Sequence, residues 1–262
     1  MTTESRTKVV SSFTIIKGAM ISETYRTLAC WDLSISKKQN LDRLRQENFI
    51  GAQSATWLRD VAKVLNRRLD PSGRDRALVT LARGNCPIDE WKPILLWHLT
   101  RDEFLVRDFL VNWLFDAYED GAFRLRPDDL HDYLRTLSLR GGQTEHAWTY
   151  ATSARVAAGL LKIGADFGLL TGSVYKEFAN YHLPERSLIY LLHAVLEQER
   201  GSPGRMLASP EWHMYLMRTA DLETAVLRLH QFRSLDYQVA GSLVQITLPC
   251  DSPGAYAEKM VA

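Results

Sequence analysis

The chain has 262 residues, 46% hydrophobic and 24% charged, ordinary globular usage that excludes a disordered or fibrous chain and suits one large domain or two small ones. Its 32 lysines and arginines nearly balance 31 aspartates and glutamates, so net charge excludes neither an acidic nor a basic partner. The distribution is uneven: residues 1–88 carry 15 basic and 8 acidic side chains and the remainder is net acidic, so the N-terminal part suits a polyanionic partner.

Helices are expected near 19–31 and 37–47, the second carrying Lys37, Lys38, Arg43 and Arg45. In 52–69, Trp57, Val61, Leu65 and Leu69 recur every four residues and form one apolar stripe. Opposite it stand Arg59, Lys63 and Arg67, with Arg68 adjacent. That spacing makes a row about 12 Å long, able to follow duplex phosphates as counterions are released. The plain alternative is a solvated helix face, its charge partly offset by Asp60. Asp70-Pro71-Ser72-Gly73 ends the helix. Helices near 75–84 and 89–99 precede 101–119, whose broad aromatic stripe (Phe104, Phe109, Trp113) marks the centre of the core.

Further helices are expected near 128–138, 153–166, 173–181, 185–200, 211–217 and 221–234. Within 128–170, two helices flank an Arg140-Gly141-Gly142-Gln143 turn; Thr152 reads as an N-cap, and Val156, Leu160, Ile163 and Phe167 face inward until Gly168-Leu169-Leu170 stops the helix. This is similar to a helix-turn-helix, whose second helix meets base edges with its N-terminal residues. On that reading Ser153 and Arg155 read bases, Arg140, Gln143 and Lys162 hold the backbone, and small Ala158 and Gly159 permit close approach. An ordinary helical hairpin gives the same pattern.

Strand signal is confined to the end of the chain, where 237–239 and 243–248 form a hairpin. With the helix at 221–234 it has the order of a winged helix, but Asp221 and Glu223 would repel phosphate, and a structural cap is the plainer role. The expected fold is all-α, a compact multi-helix body with helix-turn-helix-like elements and a small C-terminal β-hairpin. Its expected division is a basic N-terminal domain, 1–140, and a winged-helix-like C-terminal domain, 141–262. Residues 199–204 read as an exposed loop.

Catalytic signatures are missing. Cys30, Cys86 and Cys250 match no zinc spacing, and the seven histidines form no ligand pair. There is no Gly-rich phosphate loop or nucleophile elbow. Asp102/Glu103 and Asp128/Asp129 fall at helix starts, where they favour the helix dipole. No catalytic residue, metal or cofactor is therefore expected. The N-terminus lacks a signal-peptide core, and the apolar stretches Phe109–Phe115 and Leu188–Leu196 fall short of the roughly 20 residues that cross a bilayer. With its sparse cysteines the chain reads as cytoplasmic, without membrane contact.

Several stretches resemble the BrxA family of bacterial BREX phage-exclusion systems: Gly18-Ala19-Met20-Ile21-Ser22-Glu23 to Trp31; Asn48 through Trp57 to Arg68-Leu69; Arg107-Asp108-Phe109-Leu110; Trp148…Thr152…Leu160…Gly168-Leu169-Leu170; and Trp212…Asp221-Leu222…Val244-Gln245-Ile246. Together they cover most of the chain, through order and spacing and without an active-site string. The resemblance implies an all-helical protein partly like the NusB RNA-binding fold, with helix-turn-helix elements beside basic surface, binding duplex DNA. BREX systems mark host DNA by adenine methylation and block phage replication through separate methyltransferase and ATPase proteins, so this chain would be a non-catalytic accessory. A protein-interaction scaffold recruiting those BREX components and a NusB-like RNA binder are the alternatives. A monomer is favoured.

Overall fold

Most apolar stripes that the sequence marks as helical are helical in the computed structural model, which describes residues 8–70, 73–144, 146–241 and 243–262. The N-terminal half begins with β1 (Val9–Val10), α1 (Ser12–Ile16), α2 (Ile21–Ala29) and α3 (Lys37–Glu47). Ser36 and Gln39 start α3 with a reciprocal capping box. The basic stripe lies on α4 (Ala55–Arg68), whose N-cap Ser54 accepts the Trp57 N–H at 3.1 Å. Then come α5 (Arg76–Arg83) and α6 (Ile88–Asp102).

The broad aromatic stripe forms α7 (Phe104–Asp108), a π-helical turn at Phe109–Leu114 and α8 (Phe115–Glu119). A 3-10 turn at Pro127–Leu130 leads into α9 (His131–Arg135), and another follows at Leu137–Arg140. Next are β2 (Gln143–Thr144), the long helix α10 (Tyr150–Asp166), β3 (Leu170–Thr171) and β4 (Glu177–Phe178). The remainder comprises α11 (Glu185–Gln198), α12 (Pro203–Leu207), a 3-10 stretch at Pro210–Tyr215, α13 (Thr219–Gln231), the hairpin β5 (Asp236–Ala240) and β6 (Leu243–Thr247), and α14 (Pro253–Val261).

One apolar cluster runs through all of this, from Leu28 and Leu44 through Trp91, Phe109 and Leu160 to Trp212 and Tyr256. Several contacts cross the position of the boundary expected near 140/141. β1 pairs in parallel with β2, Val9 opposite Gln143. α1 lies against α10, where a Cβ on Gly159 would come within 2.7 Å of the Ile15 carbonyl oxygen. The last helix also returns to the N-terminal half, because Gly84 leaves room for the Val261 side chain.

Several expectations are corrected. Residues 173–181 are not helical: Gly172 takes φ +93°, and β3 and β4 pair antiparallel, Leu170 opposite Phe178. Strands are therefore not confined to the C-terminus. Leu125 adds to the same small sheet, its N–H donating to the Lys176 carbonyl at 2.8 Å and its carbonyl accepting the Lys176 N–H at 3.0 Å. Part of the supposed exposed loop at 199–204 begins α12, and α1 and α14 are too short to show a convincing period. The hairpin expected at the end of the chain forms as β5–β6.

Candidate nucleic-acid interface

The basic row on α4 divides by depth. Arg59 and Lys63 are exposed. Lys63 lies over the Phe13 ring of α1, its Nζ 4.4 Å from the centroid, and Lys17 shares that ring at 5.5 Å and Trp57 at 5.6 Å. Arg67 is turned toward the body, donating to the Val9 carbonyl, with Nε 3.7 Å from Glu103. Arg68 corrects the sequence reading outright. It is 2% exposed and donates to Glu103 at 3.0 Å, the Gly18 carbonyl at 2.8 Å, the Ala19 carbonyl at 3.2 Å and the Thr14 carbonyl at 2.7 Å. A guanidinium so enclosed fixes the turn between α1 and α2 and is shut off from any external phosphate.

α10 presents a cleaner face. Thr149, not Thr152, is its N-cap, accepting the Thr152 N–H at 3.2 Å, so the helix starts earlier than expected and Ser153 sits in its first full turn. Val156, Leu160 and Ile163 point into the core, while Arg155, Ala158 and Lys162 stand exposed on the opposite side. Lys162 bonds the two Asp166 oxygens at 3.0 and 2.9 Å yet remains 59% exposed. A surface pair of this kind is weak and yields readily to a polyanion. Gly159 does not serve an outside partner; its missing side chain admits the α1 backbone.

The remaining expected contacts flank this helix. Arg140 is drawn inward, bonding Asp108 at 2.8 Å and lying 4.0 Å from the Tyr133 ring, so its charge is largely matched. Tyr133 donates to the same carboxylate at 2.7 Å. Burial raises the Tyr133 phenol well above its ordinary range, and the Asp108 charge adds to that. Gln143 is exposed and Ser153 half-buried; both line a cleft of about 610 Å³ with His131, Arg135, Trp148 and Tyr150. Tyr150, 72% exposed, tilts over His131 at 5.8 Å between ring centres.

Side chains of α4 and α10 both reach α1 and the turn after it, Lys63 over Phe13, Asp60 to Lys17 and Lys162 beside Gly18. A second cleft, about 410 Å³, is bordered by Trp57 of α4, Lys17, and Lys162 of α10, with Lys92 added from α6. Glu23, Asp89 and Asp166 temper its charge. Lys17 and Lys92 escaped the sequence reading, because neither stands in a periodic basic row. The ladder at 125 and 176 also went unnoticed; it carries Arg124, Arg126 and Tyr175, with Arg126 4.5 Å from the Tyr175 ring.

The nearest to a relay is Asp75–His98–Tyr190, with Asp75 2.6 Å from His98 Nδ1 and the tyrosine hydroxyl 2.8 Å from Nε2. All three are buried, Asp75 completely, so no substrate reaches them. Burial works against the Asp75 charge, but His98 and Arg74 outweigh it and hold the carboxyl below its usual value. Among the described residues no group of three or more His, Cys, Asp or Glu side chains could hold a metal, and no helix is long and apolar enough to cross a membrane.

The BrxA family model matches residues 12–194, more than half of the chain. The chain belongs to the BrxA family. It is therefore a component of a BREX phage-defence system. The matched span of this BrxA-family chain takes in α1, α4, α10 and the β3–β4 hairpin, the whole of the surface just described. Comparison with curated proteins gives no match.

Proposed function

We propose that this BrxA-family chain is a non-catalytic duplex-DNA-binding accessory of its BREX system. The observation that carries the reading is the exposed face of α10, where Arg155 and Lys162 flank Ala158 with no large side chain between them. The two cations are seven positions apart on the helix, about 10 Å along the axis. A stripe that is small in its middle and cationic at both ends lets a helix approach a groove closely while its ends hold phosphates.

The surrounding order supports this. A helix at 104–119, a bridging strand residue at 125, a helix at 127–135, α10, and then the β3–β4 hairpin follow one another. Leu125 bridges Lys176, the residue just before the second strand of that hairpin. This is the sequence of parts in a winged helix-turn-helix, with α10 as the groove-entering helix. The turn between its two helices is long, holding Arg140 and Gln143. Arg59 and Lys63, on the far side of α1, extend the cationic surface and would contact the backbone only. Arg67, Arg68 and Arg140 are left out of the contact set by their internal partners.

Family membership also fits a chain that recruits other BREX proteins, and the two roles are compatible.

A binding titration across salt concentrations tests the reading. Affinity for a short duplex should fall steeply with salt, and Arg155→Glu with Lys162→Glu should remove most of it, Arg59→Glu with Lys63→Glu a smaller part. Salt-indifferent binding, or full affinity in the α10 double variant, would overturn the proposal. A single-stranded RNA that outcompetes the duplex would redirect it to an RNA function.

A further inference from the structure

We propose that the ladder formed by residues 123–126 and 172–176 is a second duplex-DNA contact, an arginine-bearing wing that grips the backbone beside the groove entered by α10. The inference rests on the DNA-binding reading above and adds to it a separate site on residues that the sequence placed in a helix or left unremarked.

The local geometry is specific. Leu125 is buried and bridges Lys176, which anchors the ladder. Side chains alternate along an extended segment, so Arg124 and Arg126 both leave the face opposite Leu125, about 7 Å apart. That is close to the spacing of successive phosphates on one strand. The Tyr175 ring holds both guanidiniums, Arg124 at 5.2 Å and Arg126 at 4.5 Å, and Phe123 adds a second contact to Arg124 at 5.1 Å. Stacked cations lose less freedom on binding than free ones, which favours a prepared site over an incidental charge.

Nearby carboxylates do not quench them. Glu177 stands 3.7 Å from Arg124, but both are about half exposed, where such a pair is weak. Asp129 is occupied by the backbone N–H of Arg126 at 2.7 Å. Phe123 and Val174, one at either end of the ladder, are 72% and 77% exposed, apolar side chains of the kind that meet deoxyribose rather than water.

The ladder is also placed to continue the α10 surface. Gly168 turns the chain directly from α10 into β3, and Leu170 packs where Gly164 lacks a side chain, an ideal Cβ there lying 3.0 Å from Leu170 Cδ1. The hairpin is thus held at the C-terminal end of α10, the end that carries Lys162. A duplex seated on α10 would extend past it, and this continuity favours duplex DNA over an acidic protein as the occupant.

Anisotropy titrations of the full chain with a labelled duplex of about 30 base pairs, with hydroxyl-radical footprints, test the wing. Arg124→Ala with Arg126→Ala should weaken binding about tenfold near 0.1 M salt and make the log–log salt slope shallower by about 1.8, two phosphates' worth. Its footprint should lose protection on one flank and keep the part made by α10. Arg124→Lys with Arg126→Lys should keep the slope, because both cations remain. If the unsubstituted chain ignores duplex DNA, the DNA-binding reading fails and the wing fails with it. If that chain binds with a steep salt slope but the double alanine variant matches it in affinity, slope and footprint, the wing alone is overturned.

Discussion

The Arg68 guanidinium lies 3.0 Å from the Glu103 carboxylate, and their side chains are 3% and 2% exposed. An ion pair at that depth gains little over an apolar pair of the same shape, because both charges gave up water. Removing one partner is another matter. Arg68→Ala leaves Glu103 buried with only the longer contact to Arg67 and frees the carbonyls of Thr14, Gly18 and Ala19. The expected loss is about 3–5 kcal/mol, measured by urea denaturation. Arg68→Lys should recover little, since one ammonium cannot reach the same set of acceptors. If Arg68→Ala instead left stability intact while abolishing DNA binding, the assignment of this residue to the core would be wrong.

Gly159 makes a second structural prediction. A Cβ there would stand 2.7 Å from the Ile15 carbonyl oxygen and 3.1 Å from its carbonyl carbon. The obstacle is backbone, so relief requires α1 to lift from α10. Gly159→Ala forgoes the roughly 1 kcal/mol that alanine ordinarily gains over glycine in a helix and should destabilise by about 1–3 kcal/mol overall. Because α1 leads directly into Lys17, which lines the cleft between α4 and α10, that cleft should loosen too, read out as faster amide exchange at residues 12–18. A stabilised Gly159→Ala variant would contradict the close packing.

A pH effect follows from His193 on α11. It is almost fully buried, stacks on Tyr256 at 5.4 Å between centres, and its Nε2 has no hydrogen-bond partner among the described residues. Burial lowers its pKa to about 4, with Asp251 pulling weakly the other way. Unfolded, the imidazole titrates near its ordinary value of 6.5. The unfolded chain therefore takes up a proton first, and stability present above pH 6.5 is lost as the pH falls toward 4. Between pH 7 and pH 5 the loss from this one group should be about 2 kcal/mol. His193→Phe, which keeps the stacking, should flatten that part of the stability profile; an unchanged slope would show that the imidazole charges freely in the folded chain.

The long elements were legible because burial imposes a period. Trp57, Val61 and Leu65 announce α4, and Val156, Leu160 and Ile163 announce α10. Short pieces carry no such repeat, so α1 and the β1–β2 pair were invisible, although they join the two halves. Residues 173–181 misled because Val174, Tyr175 and Phe178 imitate a helical apolar spacing, whereas Gly172 supplies the positive φ that starts a hairpin. Arg68 departs from its expected exposed role for a different reason. It stands four residues after Val64 and seven after Val61, on the buried stripe, and that position outweighs its neighbour Arg67. No periodicity could reveal what neutralises it, since Glu103 and the α1 carbonyls come from distant parts of the chain.

Ala158 separates binding from stability. It is exposed on α10 between Arg155 and Lys162. Ala158→Glu costs a few tenths of a kcal/mol in helix propensity, and a carboxylate four residues before Lys162 can pair with that lysine and offset the cost. The melting temperature should therefore move by no more than about 2 °C. Against a duplex the same carboxylate opposes phosphate, competes for Lys162 and fills the space through which the helix backbone would approach a groove. Affinity should fall at least tenfold at moderate salt, and more steeply than for Ala158→Gln, which adds the bulk without the charge. Equal losses for both variants would point to shape as the determinant, and no loss for either would remove α10 from the DNA-facing surface.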